Sequence, residues 1–164
     1  MSQVGMPLET AHGYSPPCVR QFSVFLDNKV GKLLDLVQCF EEHPQCQLCS
    51  ISVHEASDHA VIRLLPNASN AAREILKRVG QPFTERDILV VELRGNHTLS
   101  SLCLTLLGAE LNIHFAYPVL LRPNGSPTIA LSVDDLMLAG QLLRRKGFRL
   151  LGEADLPTPG CGIG

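Results

Sequence analysis

Between Cys18 and Leu156 the chain alternates two hydrophobic periods, and their order repeats once. Over Cys18–Asp27 the apolar Phe22, Val24 and Leu26 are spaced by polar positions, the period of two that marks a half-buried strand. After the turn NKVG, Leu33, Leu34, Leu36, Val37 and Phe40 recur at helical spacing over Lys32–His43, and Pro44 stops the pattern. Period two returns over Cys46–His54, with Cys49, Ile51 and Val53 expected on one face, and over His59–Leu65, with Ala60, Ile62 and Leu64 alternating. The turn EASD joins these two as a hairpin. A second helix follows Pro66, with Asn67 or Ser69 as its N-cap and an apolar set that includes Ala72, Ile75, Leu76 and Val79. Lys77 and Arg78 suit the helix dipole in its last turn, and Gly80 ends it.

QPFTERD then predicts a short strand with Pro82 at its start, and ILVVELR from Ile88 predicts another, with almost no linker between them. Here the cycle restarts: a helix over Leu99–Leu107, a strand LNIHFAYPVLL, a turn PNGSP, a strand TIALSV, a helix DDLMLAGQLLRRKG and a last strand FRLLGEADL. Laying Asp58–Gly80 over Gly125–Gly147 without a gap matches Ile62 with Ile129, Leu64 with Leu131, Ala72 with Ala139 and Leu76 with Leu143. Arg78 meets Arg145, Gly80 meets Gly147, and the helix entries Asn67 and Asp134 match in kind. The pattern therefore predicts an α+β chain of two tandem ferredoxin-like βαββαβ repeats, over residues 18–86 and 87–156, each an antiparallel sheet with helices on one face. The Gly-, Pro- and Ser-rich ends, residues 1–17 and 157–164, are expected to be flexible. One such repeat leaves a sheet face and its edges bare, so the two are expected to pair edge to edge or face to face and to create a cleft.

Composition narrows the partners. With 45% hydrophobic and 18% charged residues and a net charge of -2, the chain reads as globular, without the basic surface that nucleic acid requires. No apolar run approaches the ~20 residues of a membrane span, and the N-terminus has neither a basic nor an apolar signal region. A cytoplasmic protein with its six cysteines mostly reduced is expected.

Candidate chemistry is sparse. Cys46 and Cys49, with His43, His54 and His59 nearby, could supply tetrahedral zinc ligands, although thiols three residues apart in a strand point to opposite faces. A thiol or zinc protein is thus the competing reading, and a structural adaptor that dimerises through exposed sheet edges is a third. Asp134 and Asp135 stand at a helix start, where they read as caps rather than as a catalytic pair. Ser100 and Ser101 lack a nucleophile context, and no P-loop or Gly-x-Gly-x-x-Gly element is present. No catalytic residue, cofactor or metal is expected.

The stretches QFSVFLDNKVGKLLDLV, FTERDILVVELRGN and ELNIHFAYPVLL, with TIALSVDDLMLAGQLLRRKGFRLL, resemble those of tandem ACT-domain proteins, small amino-acid-binding regulators. DNKVGKL is similar to that family's Asp-x-x-Gly-x-Leu turn after the first strand. The resemblance implies an effector site at Asn28, Lys29, Val30, Gly31, Lys32 and Leu33 in the first repeat and at Asn96, His97, Thr98 and Leu99 in the second. It adds Gln47, Leu48, Asn112 and Ile113, since the start of the second strand in a neighbouring unit is implied to complete each turn. A helix N-terminus independently suits a carboxylate, and Gly31 would admit a close ligand, but a plain tight turn needing Gly explains NKVG equally well. His97 stands where the family has Gly, so it could contact a ligand or fill the site. The resemblance further implies a non-enzymatic regulator of amino-acid metabolism with an amino-acid effector. It would act as a homodimer or with a metabolic enzyme, as regulatory subunits of acetolactate synthase do.

Overall fold

Strand β1 (Val19–Asp27) shows how each face of the sheet is used. Its even positions Phe22, Val24 and Leu26 are buried against helices, while Val19 and Gln21 are buried on the opposite face. The computed structural model describes residues 16–158, so the expected flexible segments at 1–15 and 159–164 lie outside the described residues. Helix α1 (Lys32–Glu41), strands β2 (Leu48–Ala56) and β3 (His59–Pro66), and helix α2 (Ser69–Val79) complete the first cycle up to β4 (Phe83–Glu92). Helix α3 (Leu99–Gly108), β5 (Ile113–Pro118), β6 (Thr128–Val133), α4 (Leu136–Arg145) and β7 (Arg149–Leu151) form the second. The strand order is β2-β3-β1-β4-β6-β5, with β7 also on β4, and every pairing is antiparallel.

The two short strands expected around residue 87 are one strand. Val19 through Val24 of β1 pair with β4 up to Ile88, and from Leu89 onward β4 pairs with β6, then with β7 from Val90. The expected boundary between residues 86 and 87 falls inside it. Without a Gly or Pro between Phe83 and Glu92 the backbone has no strong cause to leave the extended state. Alternation then sorts its side chains. Leu89 and Val91 join a core with α3 and α4 that includes Leu102, Leu106, Leu131 and Leu143, whereas Ile88 and Val90 face inward to a central core.

That central core joins the repeats. Cys49 and Leu65 from the first repeat and Tyr117, Val119, Ala130 and Leu151 from the second close around Ile88 and Val90. The sheet is therefore curled, with helices on its convex side and its bare concave faces packed on each other. Tyr117 Oη donates to Gln21 Oε1 at 2.6 Å inside this layer, so the buried amide has a partner. Arg63 lies 3.8 Å from the Phe115 ring centre at the wetter end. The two sheet edges also meet: the Leu120 and Leu121 amides donate to the Cys49 carbonyl at 2.9 and 3.1 Å, and Ser50 Oγ donates to the Pro118 carbonyl. Both edge-to-edge and face-to-face pairing thus occur.

The repeats match in atomic detail. Asn67 Oδ1 accepts from the Gln47 amide at 2.8 Å while the Asn67 amide donates back to the Gln47 carbonyl at 3.0 Å. Asp134 and Asn112 make the same clasp at 2.9 and 3.2 Å. Gly80 and Gly147 both end their helices at positive φ, 75° and 89°. Each second strand carries a bulge at its start, between Leu48 and Ser50 and between Ile113 and Phe115. The bulge in β2 overturns the expectation that Cys49 and Ile51 share a face: Cys49 faces the central core while Ile51 packs with the helices. In β5, past its bulge, Phe115 and Tyr117 face inward.

The final strand is shorter than expected, because Gly152 breaks it into a 3-10 turn over Glu153–Asp155. That turn ties the end of the chain to the first repeat. Glu153 Oε1 accepts from the Ser69 amide at 3.0 Å, capping α2, and Asn67 Nδ2 donates to the Pro157 carbonyl at 2.8 Å. On the convex face Glu85 takes two hydrogen bonds from Arg73, at 2.6 and 2.7 Å, and one from Arg20 at 3.0 Å. The Arg73 hydrogen bonds hold its carboxyl below the usual carboxylate range.

Two stability predictions follow from these contacts. Asn67→Ala removes the two side-chain bonds, from the Gln47 amide and to the Pro157 carbonyl, at a buried site and is expected to cost about 2 kcal/mol in urea unfolding, against about 1 kcal/mol for Asp134→Ala at the exposed equivalent. Glu85 has a folded pKa below its unfolded value of about 4.3, so its contribution is present above that pH and is lost as pH falls through the lower folded value. Melting curves should show Glu85→Gln below wild type above about pH 5, with the gap closing under about pH 4.

Candidate ligand sites

The turn between β1 and α1 is held by backbone and by one side chain. The Asn28 amide donates to the Asp58 carbonyl at 3.4 Å, Asn28 Nδ2 donates to Glu55 Oε2 at 3.1 Å, and the Lys29 amide donates to the Asp27 carbonyl at 2.8 Å. Gly31 has φ 89°, a conformation that an L side chain resists, and a Cβ there would meet nothing within 4 Å. The glycine is thus required by the backbone rather than by crowding. Val30 is fully exposed, and Leu34 beyond it is 58% exposed, so the lip of the turn is apolar and open.

Helix starts distinguish this turn from the rest. Glu153 meets the first turn of α2, Thr98 and Ser101 form a reciprocal capping box on α3, and Asp135 Oδ1 accepts from the Leu138 amide on α4. Among the described residues no side chain caps α1; the Lys32 amide turns back to the Lys29 carbonyl at 3.3 Å, which leaves the next N–H groups, from Leu33, and the positive end of the dipole without a side-chain partner.

The matching turn of the second repeat is closed. Gly95, two residues before His97, takes the positive φ of 59°, and the His97 ring packs 4.0 Å from Phe148. A Cβ on Gly147 would lie 3.3 Å from His97 Nε2. His97 thus packs against the exit of α4. Asn96 and Leu99 remain exposed beside the self-capped Thr98.

Within the first repeat Gln47 and Leu48 stand apart from Asn28, as a site completed by a neighbouring unit requires. Register places Asp27 against His59, and His59 against Ala56, whereas Leu48 lies opposite Pro66, so the two groups are separated by the length of β2, about 25 Å. Asn112 and Ile113 are likewise at the end of β5 and β6 remote from Glu92, where the second turn begins. Instead Gln47 and Leu48 line a cavity of about 570 Å³ at the seam where the sheet edges meet, together with Val37, Phe40, Glu41, Cys46, Ile51, Leu120 and Leu121. Period and spacing carried no sign of this cavity, because Leu120 and Leu121 reach it only through the curl of the sheet.

The thiols are separated. Cys46 belongs to the core under α1 and α2, Cys49 to the central core, and burial pushes their thiols up to about 11 and about 12. His59 sits at the far end of β2 and β3, opposite Asp27. No group of three or more His, Cys, Asp or Glu residues converges among the described residues. Asp134 also contacts His114 Nε2 at 3.0 Å, which accounts for both its oxygens.

Two βαββαβ units curled around a shared strand define a tandem ferredoxin-like protein. A family model of the ACT domain pair matches residues 17–151, and the chain belongs to that family of small-molecule-binding regulatory domains. No curated protein matches it. A solved structure of a protein from Bacteroides thetaiotaomicron has the same fold, with TM-score 0.75 and 18% identity over 85% of this chain and 96% of that one. Aspartokinase alpha and beta subunits align at TM-score 0.47 and 12% identity, over 80% of this chain and 97% of that one. No helix among the described residues is long and apolar enough to cross a membrane.

The burial pattern predicts thiol reactivity. Iodoacetamide at pH 8 should label the exposed Cys103 in the native protein and reach Cys46 and Cys49 only after unfolding, as peptide mass spectrometry would show.

Proposed function

We propose that this chain is an amino-acid-binding regulatory protein of amino-acid metabolism, with the effector held at the β1–α1 turn over Asn28, Lys29, Val30, Gly31, Lys32 and Leu33. The observation that carries the reading is the uncapped start of α1, in a fold where the other three helix starts are met by Glu153, Thr98 and Asp135. Free N–H groups and the dipole suit the effector's carboxylate, and the apolar lip of Val30, Leu33 and Leu34 suits a side chain. The site is open on one side, so a second copy of the chain or a metabolic enzyme completes it, in the manner of the acetolactate synthase regulatory subunits that the sequence resembles. An effector bound across that contact would favour the assembled state, and this bias is the regulatory output. His97 assigns the second repeat a supporting role. A cytoplasmic setting fits this reading.

Thermal-shift screening of the twenty amino acids tests it. At a hundred times the dissociation constant a ligand adds about 2.7 kcal/mol to native stability, which is several degrees for a chain of this size. A shift with an apolar amino acid that disappears in Val30→Glu is the expected result. No shift with any amino acid at millimolar concentration would overturn the assignment.

A further inference from the structure

The seam cavity differs from the β1–α1 turn in charge and in hydrogen-bonding capacity. Val37 and Phe40 of α1, Leu48 and Ile51 of β2, and Leu120 and Leu121 beyond β5 make its walls apolar. Its polar contributions come from Glu41 and Gln47, and no Lys, Arg or His lines it. Gln47 Oε1 is buried and has no hydrogen-bond partner among the described residues, although the Gln47 backbone is fully engaged with Asn67. A buried acceptor in that state is normally met by a donor.

Glu41 points the same way. It stands in the last turn of α1, at the negative end of the helix dipole, where no basic residue offsets it. No Lys, Arg or His reaches it within salt-bridge distance among the described residues. A carboxylate, a helix C-terminus and an orphan amide oxygen all favour a cation that carries N–H groups, while the rest of the cavity favours hydrocarbon. No cationic side chain lines the cavity to meet an anion.

We propose that the seam cavity binds a small apolar amine, its ammonium facing Glu41 and reaching Gln47 Oε1 once that side chain turns toward the cavity, and its hydrocarbon body lying against Leu48, Ile51 and Leu120. A free amino acid is disfavoured at this position, because its carboxylate would sit against Glu41. The site is therefore distinct from the turn in both place and ligand class. Since the cavity is walled by α1 and β2 on one side and Leu120–Leu121 on the other, an occupant also braces the seam between the repeats.

Titration of the full chain with 2-phenylethylamine, 3-phenylpropionate and phenylalanine tests the proposal by calorimetry and thermal shift. These probes share one hydrocarbon body and differ in charge. The amine is expected to bind and raise the melting temperature, and Glu41→Gln and Gln47→Leu are each expected to weaken it at least tenfold. Glu41 is exposed and makes no ion pair among the described residues, so Glu41→Gln remains informative even where Gln47→Leu perturbs folding. Equal binding of the propionate, or amine binding unchanged in Glu41→Gln, would overturn the proposal. Amino-acid shifts that survive Glu41→Gln but vanish in Val30→Glu belong to the turn, so the two readings fail separately.

Discussion

Each half of this protein would be left with one bare sheet face, and the burial of those faces against each other is the interaction on which the remainder depends. Ile88 and Val90 project into that layer from the strand that both halves share, and Cys49, Leu65, Tyr117 and Ala130 close over them. Removing such surface from water is the main favourable term available to a sheet protein of this size. The curl that achieves it also brings the edges β2 and β5 together, where Leu120 and Leu121 satisfy the Cys49 carbonyl. Edges that would otherwise invite other strands are thereby engaged within the chain.

Duplication has preserved geometry where the backbone is constrained and relaxed it where ligands could act. The clasps at Asn67 and Asp134, the bulges in β2 and β5 and the glycine stops at Gly80 and Gly147 recur with nearly the same bonds. The turns into the first helices do not. One keeps an uncapped helix start behind Gly31, while the other is sealed by a Thr98–Ser101 capping box and by His97 on Phe148. Satisfying the helix donors internally stabilises the second turn and removes the feature that would attract an anion. The two repeats therefore share a scaffold but not a chemistry.

Much of this was legible before any coordinates. Period two and period 3.6 located all seven strand segments and four helices, and the unbroken match of Asp58–Gly80 to Gly125–Gly147 carried the duplication, because core and capping positions are set by local backbone demands. The errors lie where pairing rather than propensity decides. The bulge at Cys49 shifts the alternation by one residue without any local signal, and β4 reads as two strands because the repeated order assigns one to each unit, whereas a single strand serves both by changing partner between Ile88 and Leu89.

The sequence by itself determined the elements, their repeat and the glycine-dependent turn at Gly31, since propensity, periodicity and positive φ are properties of neighbouring residues. Tertiary structure alone decided that Gln47 and Leu48 line the seam, that His97 packs on Phe148, and that Glu41 shares a cavity with Leu120. Those relations depend on how a curled sheet brings distant segments together. No local pattern encodes that closure, because it is fixed by the burial of two faces that meet only when the whole chain has folded.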